Sequence, residues 1–290
     1  VPSSISVAER SAVGANVGNA LSATDEDGDS VSWEITGGNI NTTFAIDANG
    51  QLTLLATPNY EVLSSYTLTI RVSDGKGGVA TGTATVSVTD VAEAPVYVGP
   101  TTASIKEGMP AGTTLATAAA TDEDIGDVVT FSLTAGNVRD VFGINATTGR
   151  IYVATASELD YESRTAYSLE VTCTDKSGLT TKATLAVTVI NVNEAPVITS
   201  DTVSIPENAP NGTRAAAPIA VFDPDNGDTA TFNITAGNSA PGLPAPLFDM
   251  AAGGYLVVRR AVLDYENATR AGYNITVMVR DSGVPALTNT

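Results

Sequence analysis

The chain has no histidine and a single cysteine, Cys173. These shortages remove the usual general base near neutral pH, the common zinc ligands and any internal disulfide. Basic residues are also scarce: 14 Lys and Arg stand against 32 Asp and Glu, for a formal charge of −18. So acidic a surface repels nucleic-acid phosphates and anionic lipid, so neither nucleic acid nor direct membrane contact is expected. Aromatic residues make up 6%, with Trp33 the one tryptophan, too few for a sugar-stacking cleft around paired catalytic carboxylates. No enzyme is expected. The chain lacks an apolar run of about 18 residues and a signal-peptide pattern at its start. Both are expected to belong to a longer, membrane-anchored precursor.

Helical periodicity is missing as well. Apolar residues instead alternate with period two, as in Val31-Ser32-Trp33-Glu34-Ile35, Leu68-Thr69-Ile70-Arg71-Val72 and Ala84-Thr85-Val86-Ser87-Val88. That is the pattern of strands with one buried face. Hydrophobic content of 43% is ample for packed cores. In Ser168-Leu169-Glu170-Val171-Thr172-Cys173 the cysteine shares a face with Leu169 and Val171, so a buried structural thiol is expected.

The chain repeats itself. Asp25-Glu26-Asp27 returns as Asp122-Glu123-Asp124 and as Asp223-Pro224-Asp225. Asn59-Tyr60-Glu61 returns as Asp160-Tyr161-Glu162 and Asp264-Tyr265-Glu266, and Asp74 returns as Asp175 and Asp281. A fixed order of markers about every 100 residues is the signature of tandem domains, and short strands between Gly, Asn and Asp turns make each a β-sandwich. Trp33, Phe131 and Phe232 occupy matching positions and are expected in the cores. Two short segments, Asp90-Val91-Ala92-Glu93-Ala94-Pro95 and Asn191-Val192-Asn193-Glu194-Ala195-Pro196, separate the units. Each ends a strand with a proline and is rich in oxygen-bearing side chains without a base, as a linker built to hold a cation would be. A lone acidic turn is ordinary, because Asp and Asn favour turns; three ordered copies are not. Asp25 to Asp29 imitates an EF-hand loop but has Ser30 and Thr36 where glycine and a bidentate glutamate belong.

These motifs resemble three consecutive cadherin repeats, spanning 1–92, 93–193 and 194–290. The resemblance implies an all-β chain of seven-stranded, Greek-key, Ig-like sandwiches with calcium between them. It implies a first ligand set of Glu9, Asn59, Glu61, Asp90, Glu93, Asp122, Asp124, Asn137 and Asp175. The second set is Glu107, Asp160, Glu162, Asn191, Asn193, Glu194, Asp223, Asp225, Asn238 and Asp281. Ala92, Asn59 and Asn191 depart from the family pattern, so two or three ions are expected at each joint, with weaker binding at the first. The chemistry of the residues agrees, since calcium takes six to eight oxygens at roughly 2.3–2.6 Å in irregular cages and needs neither His nor thiolate.

The third repeat is expected to stop before its last strand, leaving an exposed sheet edge, and Val1-Pro2 resembles the residues just after a linker. Glycan acceptor motifs stand at Asn41, Asn145, Asn211, Asn233, Asn267 and Asn274. The expected function is a calcium-rigidified rod segment of an extracellular or cell-surface protein, used in adhesion or recognition. Its partner is a homophilic or heterophilic protein. The alternatives are a building block of an extracellular fibre that self-assembles laterally or end to end, and a carbohydrate-binding module.

Overall fold

The structure is a computed structural model that describes residues 3–200, 202–268 and 271–290, with only the backbone of Ser3 and Ser4. Val1-Pro2, and with it the expected linker-like start, lies outside the described residues.

The first seven strands are β1 (Ser3–Ala8), β2 (Asn16–Val17), β3 (Ser32–Gly37), β4 (Phe44–Ile46), β5 (Leu52–Leu54), β6 (Ser65–Ser73) and β7 (Val79–Thr89). They form two sheets, β1-β7-β6-β3 and β2-β5-β4. Alternation decides which side chains enter: Tyr66, Leu68 and Ile70 of β6 and Ala84, Val86 and Val88 of β7 are buried, while Thr67 and Thr85 between them face outward. The outer strand β1 runs parallel to β7, with Val7 beside Val88.

A second set follows the same plan: β8 (Val96–Tyr97), β9 (Thr102–Lys106), β10 (Thr114–Thr117), β11 (Ala120–Thr121), β12 (Thr130–Ala135), β13 (Phe142–Ile144), β14 (Arg150–Val153), β15 (Ala166–Thr174) and β16 (Thr180–Ile190). Its main sheets are β12-β15-β16-β9 and β10-β14-β13. The first line of the sandwich is broken at Gly99-Pro100, because proline has no N–H to give a ladder; its leading part, β8, pairs with β11 instead. Cys173 is fully buried among Leu169, Val171 and Leu185, as its face requires.

The third set comprises β17 (Val197–Ile198), β18 (Val221–Phe222), β19 (Thr231–Ala236), β20 (Phe248–Ala251), β21 (Tyr255–Val258), β22 (Thr276–Arg280) and β23 (Thr288–Asn289). Two residues of a final strand are therefore present where the sequence reading places none: β23 pairs with β22 at the position that β7 and β16 take in the other sets.

All three cores share an edge-to-face ring pair, Phe44 with Tyr66, Phe142 with Tyr167 and Phe248 with Tyr273, at centroid distances of 4.9, 5.1 and 5.2 Å. They also share a glycine at positive φ. A Cβ on Gly38, Gly136 or Gly237 would lie 1.7–1.8 Å from the carbonyl oxygen of Thr67, Ser168 or Asn274. Trp33, Phe131 and Phe232 sit opposite Val72, Cys173 and Val279 in equivalent ladders. Phe131 is buried, whereas Trp33 and Phe232 keep partial exposure.

Candidate functional site

Where one sandwich meets the next, a glutamate at the end of the first long strand line clamps two other segments of its own repeat. The Glu9 N–H donates to Thr89 O, and the carboxylate accepts from Val91 N at 2.8 Å and Tyr60 N at 2.9 Å. Glu107 repeats this with Ile190 O, Val192 N at 2.7 Å and Tyr161 N at 2.6 Å. From the following repeat, Asp124 Oδ2 accepts the Glu93 N–H at 3.0 Å, and Asp225 Oδ2 accepts that of Glu194 at 2.7 Å. Asp122 and Asp223 hold these turns by accepting from the N–H of Asp124 and Asp225. Both linkers are thus tied to the sandwiches on either side.

This frame crowds carboxylates together. Oxygens of Glu9, Glu61 and Asp90 lie within 4.8 Å of one another. So do those of Glu61, Glu93 and Asp124, which come from both sides of the joint, and those of Asp122, Asp124 and Asp127. At the second joint Glu107, Asp160 and Glu162 form such a group. The charge of Asp225 reaches Glu162 from the next repeat, and within that repeat the charge of Asp281 reaches Asp223. Glu9, Glu93, Glu107, Asp175, Asp225 and Asp281 are all buried.

The protonation behaviour follows from that crowding. Burial, then the charge of Glu9, pushes Glu61 and Glu93 up from the ordinary carboxylate value. Burial and the charge of Asp124 do the same to Asp90 and Asp122. Across the second joint, burial followed by Glu107 and Asp225 raises Glu162 to about 7 and also lifts Glu194. Asp223 rises through burial and its aspartate neighbours. Glu9 goes the other way: burial pushes it up, but the Tyr60 and Val91 N–H donors outweigh that.

Buried oxygens of Glu61, Asp122, Asp127, Asp175, Asp223 and Asp228, and Oε2 of Glu93, have no hydrogen-bond donor. An unpaired buried carboxylate oxygen is strongly unfavourable, so the donor set fits a hard divalent cation coordinated by oxygen alone.

The asparagines fit less uniformly. Asn137 and Asn238 spend their side chains inside their own sandwiches: Asn137 bridges to the Phe142 backbone and Asn238 to that of Phe248, as Asn39 does to Phe44. Only their main-chain carbonyls remain for a cation. Asn59 caps the Val62 N–H with Oδ1 and gives its amide N–H to Glu123. Asn191 is exposed, while Asn193 donates through Nδ2 to Asp281. Of the glycan acceptor residues, Asn41, Asn145, Asn211, Asn233 and Asn274 are exposed and Asn267 is half-buried; Thr269 of its motif lies outside the described residues.

Several participants escape the sequence reading. Asp127 and Asp228 follow the Asp-x-Asp turns by three residues and face into them. Glu207, Asp264 and Glu266 form a third carboxylate group, the counterpart of Glu9, Asn59 and Glu61, and the recurrence of Asp264-Tyr265-Glu266 was the available signal. Arg10 and Glu123 meet across the first joint, and nothing local in the sequence announces that contact.

Comparison with known proteins agrees with this geometry. The Cadherin domain profile matches residues 101–190, and a Bacterial Ig domain profile matches 1–89. Protocadherin gamma-A6 of Pan troglodytes is 33% identical over 266 residues, covering 85% of this chain and 28% of that protein. Cadherin EGF LAG seven-pass G-type receptor 2 of Mus musculus is 30% identical over 282 residues, covering 93% of this chain and 9% of the receptor. The chain therefore spans less than a third of the curated relatives it matches. Mouse Cadherin-23 EC22-24 superposes with a TM-score of 0.70 at 23% identity, over 99% of this chain and 92% of that one. With the repeated sandwiches, their acidic joints and these likenesses together, the chain belongs to the cadherin-repeat family, as an extracellular or cell-surface segment.

Proposed function

We propose that the chain is a rod segment whose two joints are stiffened by calcium, serving adhesion or recognition by a larger surface protein. The observation that carries this reading is the set of buried carboxylate oxygens without donors at the meeting of successive sandwiches. Linkers of a few residues with small interdomain contacts leave sandwiches free to swing. Calcium would be held by Glu9, Glu61, Asp90, Glu93, Asp122, Asp124 and Asp175 at the first joint. At the second it would be held by Glu107, Asp160, Glu162, Asn193, Glu194, Asp223, Asp225 and Asp281. Bound there, it supplies positive charge shared between neighbouring repeats, converting binding energy into a fixed angle. A fixed angle holds a distal surface at a set distance and limits the entropy lost on pairing. No catalytic step belongs to this reading.

Small-angle scattering of the chain with calcium and with EGTA tests the proposal. The extended profile is expected to give way to a broader distribution of shapes on chelation while each sandwich stays folded; an unchanged profile would overturn it. Calcium-dependent bead aggregation then distinguishes adhesion through a second copy of the chain from the fibre alternative, which would show regular self-assembly.

A further inference from the structure

We infer that the first joint carries a metal-independent clasp, in which Arg10 of the first repeat grips Glu93 and Glu123 of the second and supplies a positive charge at a position where the second joint has Gly108.

Arg10 Nε lies 2.7 Å from Glu93 Oε1, and a terminal guanidinium nitrogen lies 2.6 Å from Glu123 Oε2. The first contact is an ion pair in distance without the angle of a hydrogen bond, whereas the second is also a hydrogen bond. The other Glu123 oxygen takes the Asn59 amide at 2.5 Å, so donors from the first repeat hold both oxygens of this carboxylate. An arginine fork is always charged and reaches two acceptors at once, which a lysine does less well.

The backbone beneath Arg10 strengthens the case. Its φ is +55°, a conformation that a long side chain seldom adopts. The equivalent residues are Gly108 at +64° and Asn208 at +55°, types suited to that region, and all three donate the same backbone hydrogen bond, to Pro58, Leu159 and Leu263. A strained arginine persists where the surroundings determine it, and such strain gathers at working sites.

The second joint keeps the glutamate, as Glu194, but lacks the other components of the clasp. Gly108, Asp160 and Pro224 stand where Arg10, Asn59 and Glu123 stand in the first. An aspartate at position 59 would repel Glu123, so the asparagine there has a positive reason. Glu93 is buried beneath Arg10, while its counterpart Glu194, with a glycine opposite, is only partly covered and is the more exposed of the two. Arg10 and Glu123 are themselves half-exposed, so salt is expected to weaken their contact.

The inference requires no ion and is tested without one. Spin labels on the full chain at Thr83 and Thr184 report the first joint, and labels at Thr184 and Thr231 the second; buried Cys173 stays unlabelled. In EGTA at low salt, the distance distribution across the first joint is expected to be narrower than across the second. Arg10→Gly, which suits the backbone and preserves folding, should abolish that difference, as should Glu123→Gln in part and high salt. Equal widths in the unmodified chain, or a narrow first joint that survives Arg10→Gly, would overturn the clasp. Because calcium is absent throughout, this result is independent of whether calcium stiffens either joint.

Discussion

Asn193 turns its amide nitrogen toward Asp281, with Nδ2 3.0 Å from Oδ2, and the same nitrogen reaches Pro285 O at 2.9 Å. A cation needs the opposite face, because only the amide oxygen has lone pairs to give. Calcium is therefore expected to rotate this amide by half a turn and release Asp281. The Asn193 side-chain NH2 signals should shift on calcium titration, and Asn193→Ala should weaken calcium binding at the second joint by at least about tenfold in calorimetry, since even the groups that orient metal ligands are worth about 10–100-fold. Unchanged affinity would remove Asn193 from the ligand set.

The second joint is expected to respond to pH in opposite directions with and without metal. Glu162 is raised from 4.5 to about 7, first by burial and then by the charges of Glu107 and Asp225. The closed, metal-free joint thus keeps a proton that an open joint loses between these values. Its contribution to closure is full below pH 4.5 and is lost as pH rises through about 7. The outer edge of Glu162 is exposed, so solvent moderates the effect. Calcium requires the ionised form, so apparent affinity should increase over the same window. Scattering and calorimetry across that range check both slopes, and Glu162→Gln should flatten them.

Substituting the shared glycines at positive φ should damage one sandwich at a time. In Gly136→Ala the new methyl would meet Ser168 O at 1.7 Å on a backbone with φ of +77°. Strain alone is about 1–3 kcal/mol, and the second repeat should melt earlier while the others keep their transitions. A change of less than about 0.5 kcal/mol would mean that the loop shifts freely.

Cys173 is enclosed by the second core, and burial pushes its thiol up from the usual value. A thiol-specific reagent should react only after that repeat unfolds, so labelling rate reports its stability directly. Rapid labelling of the native chain would contradict the packing.

Period-two alternation made the strand content and the sandwich legible, since Leu68, Ile70, Val86 and Val88 can enter a core only as strand residues. The repeated markers made the acidic joints legible for the same reason: Asp122-Glu123-Asp124 and Asp160-Tyr161-Glu162 keep their order. What stayed hidden depends on approach between distant turns. Arg10 and Glu123 are 113 residues apart, and their contact follows from the angle between two sandwiches. Asn137 and Asn238 show another limit, because an asparagine in a turn reads alike whether its amide faces a cation or staples its own strand.

The parallel ladder from Ser3–Ala8 to 84–89 has a mechanical consequence. Because both strands point the same way, the polypeptide enters one pole of the sandwich and leaves by the other. Tension along the chain would pull these strands lengthwise past each other and load the whole row of hydrogen bonds in shear. Unzipping would break them singly, so a molecule strung between anchors gains toughness from the direction of a single strand.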